Sequence, residues 1–330
     1  MSARPPVVAL LGPTGTGKTG LALTLAQRIG GEIVSVDSRQ AYRGMAVGTA
    51  APSPAQLERV RHHGVGFLAP GERYGAGRFG RLARGWIEEI QGRGREPLLV
   101  GGTGFFYRAL VRPIFREPDL DPERRRRLER WIERGDGEAL ADWVRVLDPA
   151  LARRLPVLDP QRVQRALEVA LLTGRPLTWW QQHGRPEAEP VATRAVVLEL
   201  DPEEHRRRLR ERADLMLDGG WREEVEALLE AGHTRGSIPF RTIGYAAVAE
   251  WIAGEISRAD ALARILRDTW AYARRQRTWF RHQLPGGVLR LDAADAPERL
   301  AERIVAMSRR GSHLPADRAG AATVDDERKR

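Results

Sequence analysis

A glycine-rich segment near the start of the chain carries the clearest chemical signal in the sequence. Residues 12–19 read Gly-Pro-Thr-Gly-Thr-Gly-Lys-Thr and satisfy the pattern G-x-x-x-x-G-K-[ST]. In this pattern backbone N–H groups converge on phosphate oxygens, the lysine adds a point charge, and the threonine hydroxyl is a ligand for the Mg²⁺ that accompanies a diphosphate. The sequence therefore predicts a diphosphate site, with Thr19 as the Mg²⁺ ligand, made of Gly12, Pro13, Thr14, Gly15, Thr16, Gly17, Lys18 and Thr19.

Lys18 stands out against the composition of the chain. Lysine occurs only at Lys18 and Lys329, and every other basic side chain apart from histidine is an arginine. A planar guanidinium does not replace a compact ammonium in a tight anion-binding loop. The lysine at this position therefore supports phosphate binding over a glycine-rich turn of no function.

Alternating strands and helices must position this loop. A short apolar run at 6–11 precedes it, and helical spacing follows at 18–29 up to Gly30. Further buried strands are predicted at 32–36, 97–100 and 194–200. This alternation predicts an α/β fold similar to P-loop NTPases, with a parallel sheet flanked by helices and the active site at the carboxyl ends of its strands.

The chain length of 330 residues exceeds what one compact core usually needs. Between 116 and 192 the pattern changes to arginine-rich helices punctuated by prolines, which predicts an inserted all-helical domain. The catalytic core would then be discontinuous and comprise residues 1–115 and 193–308. Residues 309–330 show no periodicity and are predicted to be a disordered tail.

Composition excludes several classes of protein. The chain has no cysteine, which removes disulfides, thiolate zinc sites and cysteine nucleophiles. No segment reaches the roughly 18 apolar residues of a membrane span, and the segment before the glycine-rich loop is too short for a signal peptide, so we expect a cytoplasmic protein. We also expect it to be a monomer. The net charge of +10 favours a polyanionic partner. The pair His62 and His63 lacks a third ligand at metal spacing, so we expect it to be structural.

Segments outside the glycine-rich loop at residues 12–19, hereafter the phosphate loop, resemble one enzyme family. Asp37 opens Asp-Ser-Arg-Gln-Ala-Tyr-Arg-Gly-Met at 37–45, and Gly-Thr-Ala follows at 48–50. Further segments lie at 100–107, 161–169, 243–245 and 273–281. In this order, over roughly residues 8–282, they resemble tRNA dimethylallyltransferases. The chain departs from the family's pattern at Ala51, the segment 62–66, Leu158, Ala246 and Trp270.

The resemblance implies transfer of a dimethylallyl group from dimethylallyl diphosphate to the exocyclic amine of the adenine just 3′ of the anticodon. The phosphate loop would hold the donor and Mg²⁺ rather than ATP, and the acceptor would be a tRNA anticodon stem-loop. The implied catalytic residues are Asp37, Thr103, Lys18 and Arg212. The implied tRNA-binding residues are Asp37, Ser38, Arg39, Gln40, Gln161, Arg162, Val163, Gln164, Arg165, Arg241, Thr242, Ile243, Gly244 and Tyr245.

Chemistry restricts what Asp37 can do. A carboxylate with the ordinary pKa of about 4 cannot deprotonate an adenine amine in advance. We therefore expect Asp37 to accept the proton late, as the amine nitrogen gains positive charge.

The helix predicted at 264–281 has two contrasting faces. One face carries Ile265, Thr269, Tyr272, Gln276 and Trp279, and is predicted to be buried. The other carries Arg267, Arg274, Arg277 and Arg281, a basic surface on which an RNA backbone could dock.

Three other functions remain open on the sequence alone. They are an isopentenyltransferase acting on free AMP or ADP, a small-molecule P-loop kinase, and a non-catalytic RNA-binding protein. The helical insertion and the segment 161–165 favour tRNA over a free nucleotide.

Overall fold

The computed structural model describes residues 5–116, 120–155, 159–284 and 287–310. Its strands are β1 Val7–Leu11, β2 Gly31–Val36, β3 His62–His63, β4 Glu96–Gly101, β5 Thr193–Glu199 and β6 Leu289–Asp292. Its helices are α1 Lys18–Ile29, α2 Pro54–Arg59, α3 Ala76–Gly92, α4 Gly104–Val111, α5 Pro122–Arg134, α6 Gly137–Leu147, α7 Pro149–Arg154, α8 Pro160–Thr173, α9 Leu177–His183, α10 Pro202–Asp218, α11 Trp221–Glu230, α12 Tyr245–Ile252, α13 Arg258–His282 and α14 Pro297–Arg310. A short 3₁₀ turn spans Pro239–Arg241.

The described strands form one parallel sheet in the order β3-β2-β4-β1-β5-β6. β1 lies between β4 and β5, and Leu10 pairs with Val100 on one side and with Val196 on the other. The predicted α/β fold with a parallel sheet is confirmed. Because the strands are parallel, the residues that follow β1, β2 and β4 meet at one edge of the sheet.

Two strands, β3 and β6, were not predicted. β3 has only two residues, and β6 alternates buried and exposed residues in Leu-Arg-Leu-Asp. Both lie at the edges of the sheet, where a strand is short and lacks the continuous apolar run of a doubly covered strand.

Apolar side chains on α1 anchor the helix that follows the phosphate loop. Leu21 and Leu25 are 2% and 1% exposed and pack in a cluster with Leu10 of β1, Leu198 of β5 and Ile304 of α14. A rigid α1 holds the start of the helix, where phosphate-binding N–H groups are expected, in a fixed place beside the sheet.

The chain divides into two compact units. The first comprises residues 1–74, 85–104 and 193–330, and the second comprises 75–84 and 105–192. The second unit therefore starts at 105, before the predicted insertion boundary at 116, and it also includes 75–84. Its core contains Leu140, Val144 and Leu167, and it buries Glu168 beside Arg125, with Nη2 and Oε2 3.1 Å apart.

Most of the predicted tail, and one of the positions that depart from the family's pattern, lie outside the described residues. Of the predicted tail at 309–330, residues 309 and 310 belong to α14, and 311–330 lie outside the described residues. Leu158 also lies outside them. No helix in the described ranges is both long and apolar enough to cross a membrane.

His62 and His63 form the edge strand β3. Nε2 of His63 lies 2.7 Å from Oε2 of Glu32, and Arg93 donates to the same carboxylate oxygen at 2.8 Å. Burial acts to raise the pKa of Glu32, but the hydrogen bonds from Arg93 and His63 outweigh it and lower that pKa. The pair thus has a structural place at the edge of the sheet.

Candidate active site

A cavity of about 710 Å³ lies in the first unit, where β1, β2 and β4 end. The phosphate loop, the segment 37–40, the turn 48–50, the end of β4, α10 and α13 all contribute to its wall. Elements distant in sequence therefore converge on the edge of the sheet that the sequence predicted for the site.

Side-chain hydrogen bonds hold the phosphate loop in shape. The buried Thr16 hydroxyl donates to the Pro13 carbonyl at 2.9 Å, and the Lys18 ammonium donates to the same carbonyl at 2.6 Å. Arg212 reaches the loop from α10, and its Nη1 donates to the Thr14 hydroxyl at 3.0 Å. The structure thus places Arg212 beside Lys18 and the phosphate loop.

The cavity disfavours charge on Lys18 when no anion is present. Desolvation, followed by the nearby Arg212, lowers the pKa of Lys18 to about 7, although Asp37 acts in the opposite direction. The pKa of Arg212 is also lowered, because desolvation outweighs the opposite effect of Asp37. Two cations held this close together are stabilised by an anion bound between them.

This electrostatic arrangement predicts proton uptake when an anion binds. At pH 8 Lys18 of the free protein is mostly neutral, whereas a bound diphosphate favours the ammonium, so binding should take up close to one proton. Affinity for a diphosphate should consequently fall as pH rises above about 7. Calorimetry in buffers of different ionisation enthalpy measures the uptake, and Lys18→Met should abolish it. Equal uptake by both proteins would contradict the assignment.

Asp37 follows β2 directly and is oriented by the backbone. Its Oδ1 accepts hydrogen bonds from the amide of Arg39 at 2.7 Å and from the amide of Gln40 at 3.3 Å. Its Oδ2 has no hydrogen-bond partner among the described residues. One carboxylate oxygen is therefore fixed, and the other can accept a proton from a group in the cavity.

Thr103 and Tyr272 lie beside Asp37. The Thr103 hydroxyl accepts a hydrogen bond from the Ser38 amide at 3.2 Å and also bonds to the Tyr272 side chain. Burial and the negative charge of Asp37 raise the pKa of Tyr272 to about 12, and the bond with Thr103 acts in the opposite direction. Tyr272 therefore stays protonated at neutral pH and can donate a hydrogen bond.

Gln276 on α13 connects two parts of the site, a role that the sequence did not single out. Its Oε1 accepts the amide of Thr14 at 2.9 Å, and its Nε2 donates to the carbonyl of Gly102 at 2.8 Å. The side chain is 7% exposed. Gln276 thus fixes the phosphate loop against the turn that follows β4.

Replacing Gln276 by leucine should destabilise the fold and weaken diphosphate binding. The substitution leaves the Thr14 amide and the Gly102 carbonyl without these bonds, at about 1–3 kcal/mol for each group left unpaired. Urea unfolding measures the loss. Gln27→Leu is the control, because it removes only an exposed hydrogen bond with Arg59. A loss no larger than that of the control would contradict this role.

The predicted tRNA-binding residues divide among three places. Ser38, Arg39 and Gln40 line the cavity, and so do Arg241, Thr242 and Ile243. Residues 161–165 lie on α8 in the second unit, where Gln161 and Arg162 are exposed and Gln164 and Arg165 are half-buried.

Two of these predicted contacts need correction. Val163 is 4% exposed and packs in the core of the second unit, so its side chain offers no surface to RNA. Tyr245 is fully buried, and its hydroxyl donates to Glu224 at 2.6 Å. The segments 161–165 and 241–245 stay predicted RNA-binding segments, and the resemblance alone could not reveal which of their side chains point inward.

The two predicted faces of α13 are both present. On the first face Ile265 and Gln276 are buried, but Thr269, Tyr272 and Trp279 are only half-buried. On the second face Arg267, Arg274 and Arg281 are exposed, and Arg277 is half-buried. Trp270, one of the positions at which the chain departs from the family's pattern, lies under the guanidinium groups of Arg206 at 4.4 Å and Arg277 at 5.3 Å. These cation–π contacts hold two basic side chains next to residue 270.

The fold and site define a class of α/β protein in which a G-x-x-x-x-G-K-[ST] loop and an oriented carboxylate line one cavity. Comparison with known proteins narrows the class: the IPP transferase family matches residues 40–283, and an isopentenyl transferase family matches residues 5–63. The chain belongs to the IPP transferase family.

Relatives and solved structures agree with this assignment. A tRNA dimethylallyltransferase of Thioalkalivibrio sulfidiphilus is 40% identical over 96% of this chain and 98% of its own. One of Halorhodospira halophila is 42% identical over 85% and 91%. The structure of a Staphylococcus epidermidis tRNA isopentenylpyrophosphate transferase has a TM-score of 0.66 at 28% identity, covering 93% of this chain and 99% of its own. A eukaryotic dimethylallyltransferase acting on tRNA has a TM-score of 0.76 at 26% identity, covering 93% and 79%.

Proposed function

We propose that this chain transfers a dimethylallyl group from dimethylallyl diphosphate to the exocyclic amine of the adenine just 3′ of a tRNA anticodon. The observation that carries the proposal is the meeting of Lys18, Arg212 and an amide-oriented Asp37 in one cavity. The same wall carries apolar side chains from α10 and α11, which suit a five-carbon hydrocarbon, namely Ala213, Leu215, Met216 and Trp221.

The reaction exchanges one bond for another. The allylic C–O bond breaks and its electron pair leaves with the diphosphate, while the amine nitrogen forms a bond to the same carbon. The nitrogen becomes acidic as it gains positive charge, and Oδ2 of Asp37 accepts its proton. The two amides on Oδ1 keep the carboxylate in place during this step.

Charge that develops on the leaving diphosphate is stabilised by the cations around the loop. Lys18 and Arg212 are held in place by hydrogen bonds before the anion arrives, so little reorganisation is needed. Thr103 and Tyr272 add hydroxyl groups next to Asp37, where they could contact the amine or the bridging oxygen of the donor.

Mg²⁺ fits this site as a companion of the diphosphate. Thr19 lies at the start of α1 and lines the cavity, and its hydroxyl would be the protein ligand. The described residues include no group of three His, Cys, Asp or Glu side chains that could form a protein cage. Mg²⁺ commonly takes only one or two protein ligands and completes its shell with phosphate oxygens and water. When bound, it would neutralise charge on the diphosphate.

The acceptor purine must leave the stacked anticodon loop to reach Asp37, at a cost of a few kcal/mol. Arg39, Gln40 and Arg241 line the cavity and can receive the surrounding RNA. We assign further RNA contacts to the exposed Gln161 and Arg162 of the helical unit. The monomeric state and cytoplasmic location expected from the sequence remain predictions.

One labelling experiment separates this function from its alternatives. Purified protein receives Mg²⁺ and isotopically labelled dimethylallyl diphosphate together with either a tRNA transcript, AMP or ADP. We expect label in the tRNA alone. Label in AMP or ADP would identify a free-nucleotide isopentenyltransferase, and tRNA retention without transfer would identify a binding protein. In a separate reaction with ATP and no isoprenoid donor, ATP turnover would identify a kinase.

A further inference from the structure

The helix α11 contacts two separate segments of the cavity wall through one face. Trp221 and Glu224 lie three residues apart and therefore point to the same side of the helix. The first segment is the loop at residues 45–51, and the second is the segment at residues 241–245. Both belong to the first unit.

Glu224 binds both segments with one carboxylate. Its Oε2 accepts the amide of Val47 at 2.8 Å, and its Oε1 accepts the amide of Gly48 at 2.9 Å. The Tyr245 hydroxyl also donates to Oε1, at 2.6 Å. All three partners are donors, so the site requires a group that accepts at both oxygens. Burial and the adjacent Glu224 raise the pKa of Tyr245, which keeps its hydroxyl a donor.

Trp221 fixes how closely the two segments approach each other. The indole is 1% exposed and forms an edge contact with Tyr245 at 5.8 Å between ring centroids. A Cβ at Gly48 would lie 2.2 Å from Nε1 of the indole, and a Cβ at Gly244 would lie 2.2 Å from its Cη2. In both segments a glycine therefore brings the backbone into contact with the indole. The ring sets the distance between the two segments.

The loop at residues 45–51 connects Glu224 and Trp221 with the carboxylate of Asp37. Ala50 has φ +47°, a left-handed conformation that is uncommon for a residue with a Cβ and needs support from its surroundings. Its carbonyl accepts the Gln40 side chain at 3.0 Å, and the Gln40 amide donates to Asp37. A continuous path of contacts thus runs from Glu224 to the group that would meet the purine.

We propose that Glu224 is a positioning residue. It would hold residues 45–51 and 241–245 in place, and these segments would form the part of the cavity wall that receives the RNA acceptor. The proposal rests on the proposed function. The three hydrogen bonds of Glu224 end on residues 47, 48 and 245, and none ends on the phosphate loop. Loss of the carboxylate should therefore impair use of the RNA acceptor and leave donor binding unchanged.

The variant Glu224→Gln tests this separation. A glutamine amide turns an NH₂ group toward a backbone or hydroxyl donor, so at least one of the three bonds is lost at nearly constant volume. We expect the KM for an anticodon stem-loop RNA to rise about ten- to a hundredfold, as for loss of a hydrogen bond to a charged group. The affinity for dimethylallyl diphosphate, measured by calorimetry without RNA, should stay within about twofold.

Glu223→Gln is the matched control. Glu223 is the exposed neighbour of Glu224 and makes no hydrogen bond or ion pair among the described residues. Its KM for RNA should equal that of the unmodified protein.

A second variant keeps the test decisive if Glu224→Gln folds poorly. Tyr245→Phe removes only the hydroxyl, and it should raise the KM for RNA less than Glu224→Gln does. The effects of the two changes should not simply add in the double variant, because Glu224 and Tyr245 are in direct contact.

Two outcomes would overturn the proposal. One is an unchanged KM for RNA in both Glu224→Gln and Tyr245→Phe. The other is a loss of affinity for dimethylallyl diphosphate that is as large as the rise in the KM for RNA. Failure of the unmodified protein to prenylate RNA would instead overturn the proposed function, so the two failures are distinguishable.

Discussion

Asp37→Asn should lower the rate of the chemical step by about 10²–10⁴-fold, the usual effect of removing a general base. The asparagine carbonyl can keep the two backbone hydrogen bonds that Oδ1 accepts from Arg39 and Gln40. The NH₂ group then replaces Oδ2 and cannot take a proton from the amine. Single-turnover rates at saturating donor and RNA measure the effect directly.

Donor affinity is the internal control for this variant. Asp37 makes no hydrogen bond to the phosphate loop, so binding of dimethylallyl diphosphate should persist. Because Asp37 opposes the lowering of the Lys18 pKa, its neutralisation should lower that pKa further and weaken donor binding modestly above neutral pH. A single-turnover rate equal to that of the unmodified protein would remove Asp37 from the mechanism.

Lys18→Met should lower the rate by about 10²–10³-fold, the loss typical for one preorganised electrostatic donor. The methionine keeps the unbranched apolar part of the side chain but has no charge to place beside the leaving diphosphate. Arg212 remains and limits the loss, since its guanidinium already lies against Thr14. Rates at saturating donor, together with donor affinity from calorimetry, separate binding from chemistry.

Lys18→Arg is the informative comparison. It keeps the positive charge, but the larger planar group must fit where the ammonium lies 2.6 Å from the Pro13 carbonyl. We expect it to remain strongly impaired. Full activity of Lys18→Arg would show that charge alone matters and that the tight loop does not select lysine.

Local features of the site could be predicted from the sequence. The phosphate loop is a contiguous pattern, and Asp37 follows an apolar strand, so parallel pairing alone brings both to one edge of the sheet. The strands covered on both faces were recognised as apolar runs for the same reason. The edge strands β3 and β6 were missed because half-exposed short strands lack that run.

Contacts between distant segments could not be predicted in this way. Gln276 meets Thr14 across 262 positions, and Glu224 meets Val47 across 177. Such pairs depend on how α11 and α13 rotate and pack, which no local pattern encodes. The inward direction of Val163 and Tyr245 is a packing outcome of the same kind.

Mass spectrometry of tRNA nucleosides tests the central claim most directly. An unmodified anticodon stem-loop transcript is incubated with the purified protein, dimethylallyl diphosphate and Mg²⁺, then digested to nucleosides and to mapped fragments. We predict one new nucleoside, an adenosine carrying a five-carbon addition on its exocyclic amine, at the position just 3′ of the anticodon. Unmodified adenosine throughout, with the protein folded and the donor bound, would contradict the account.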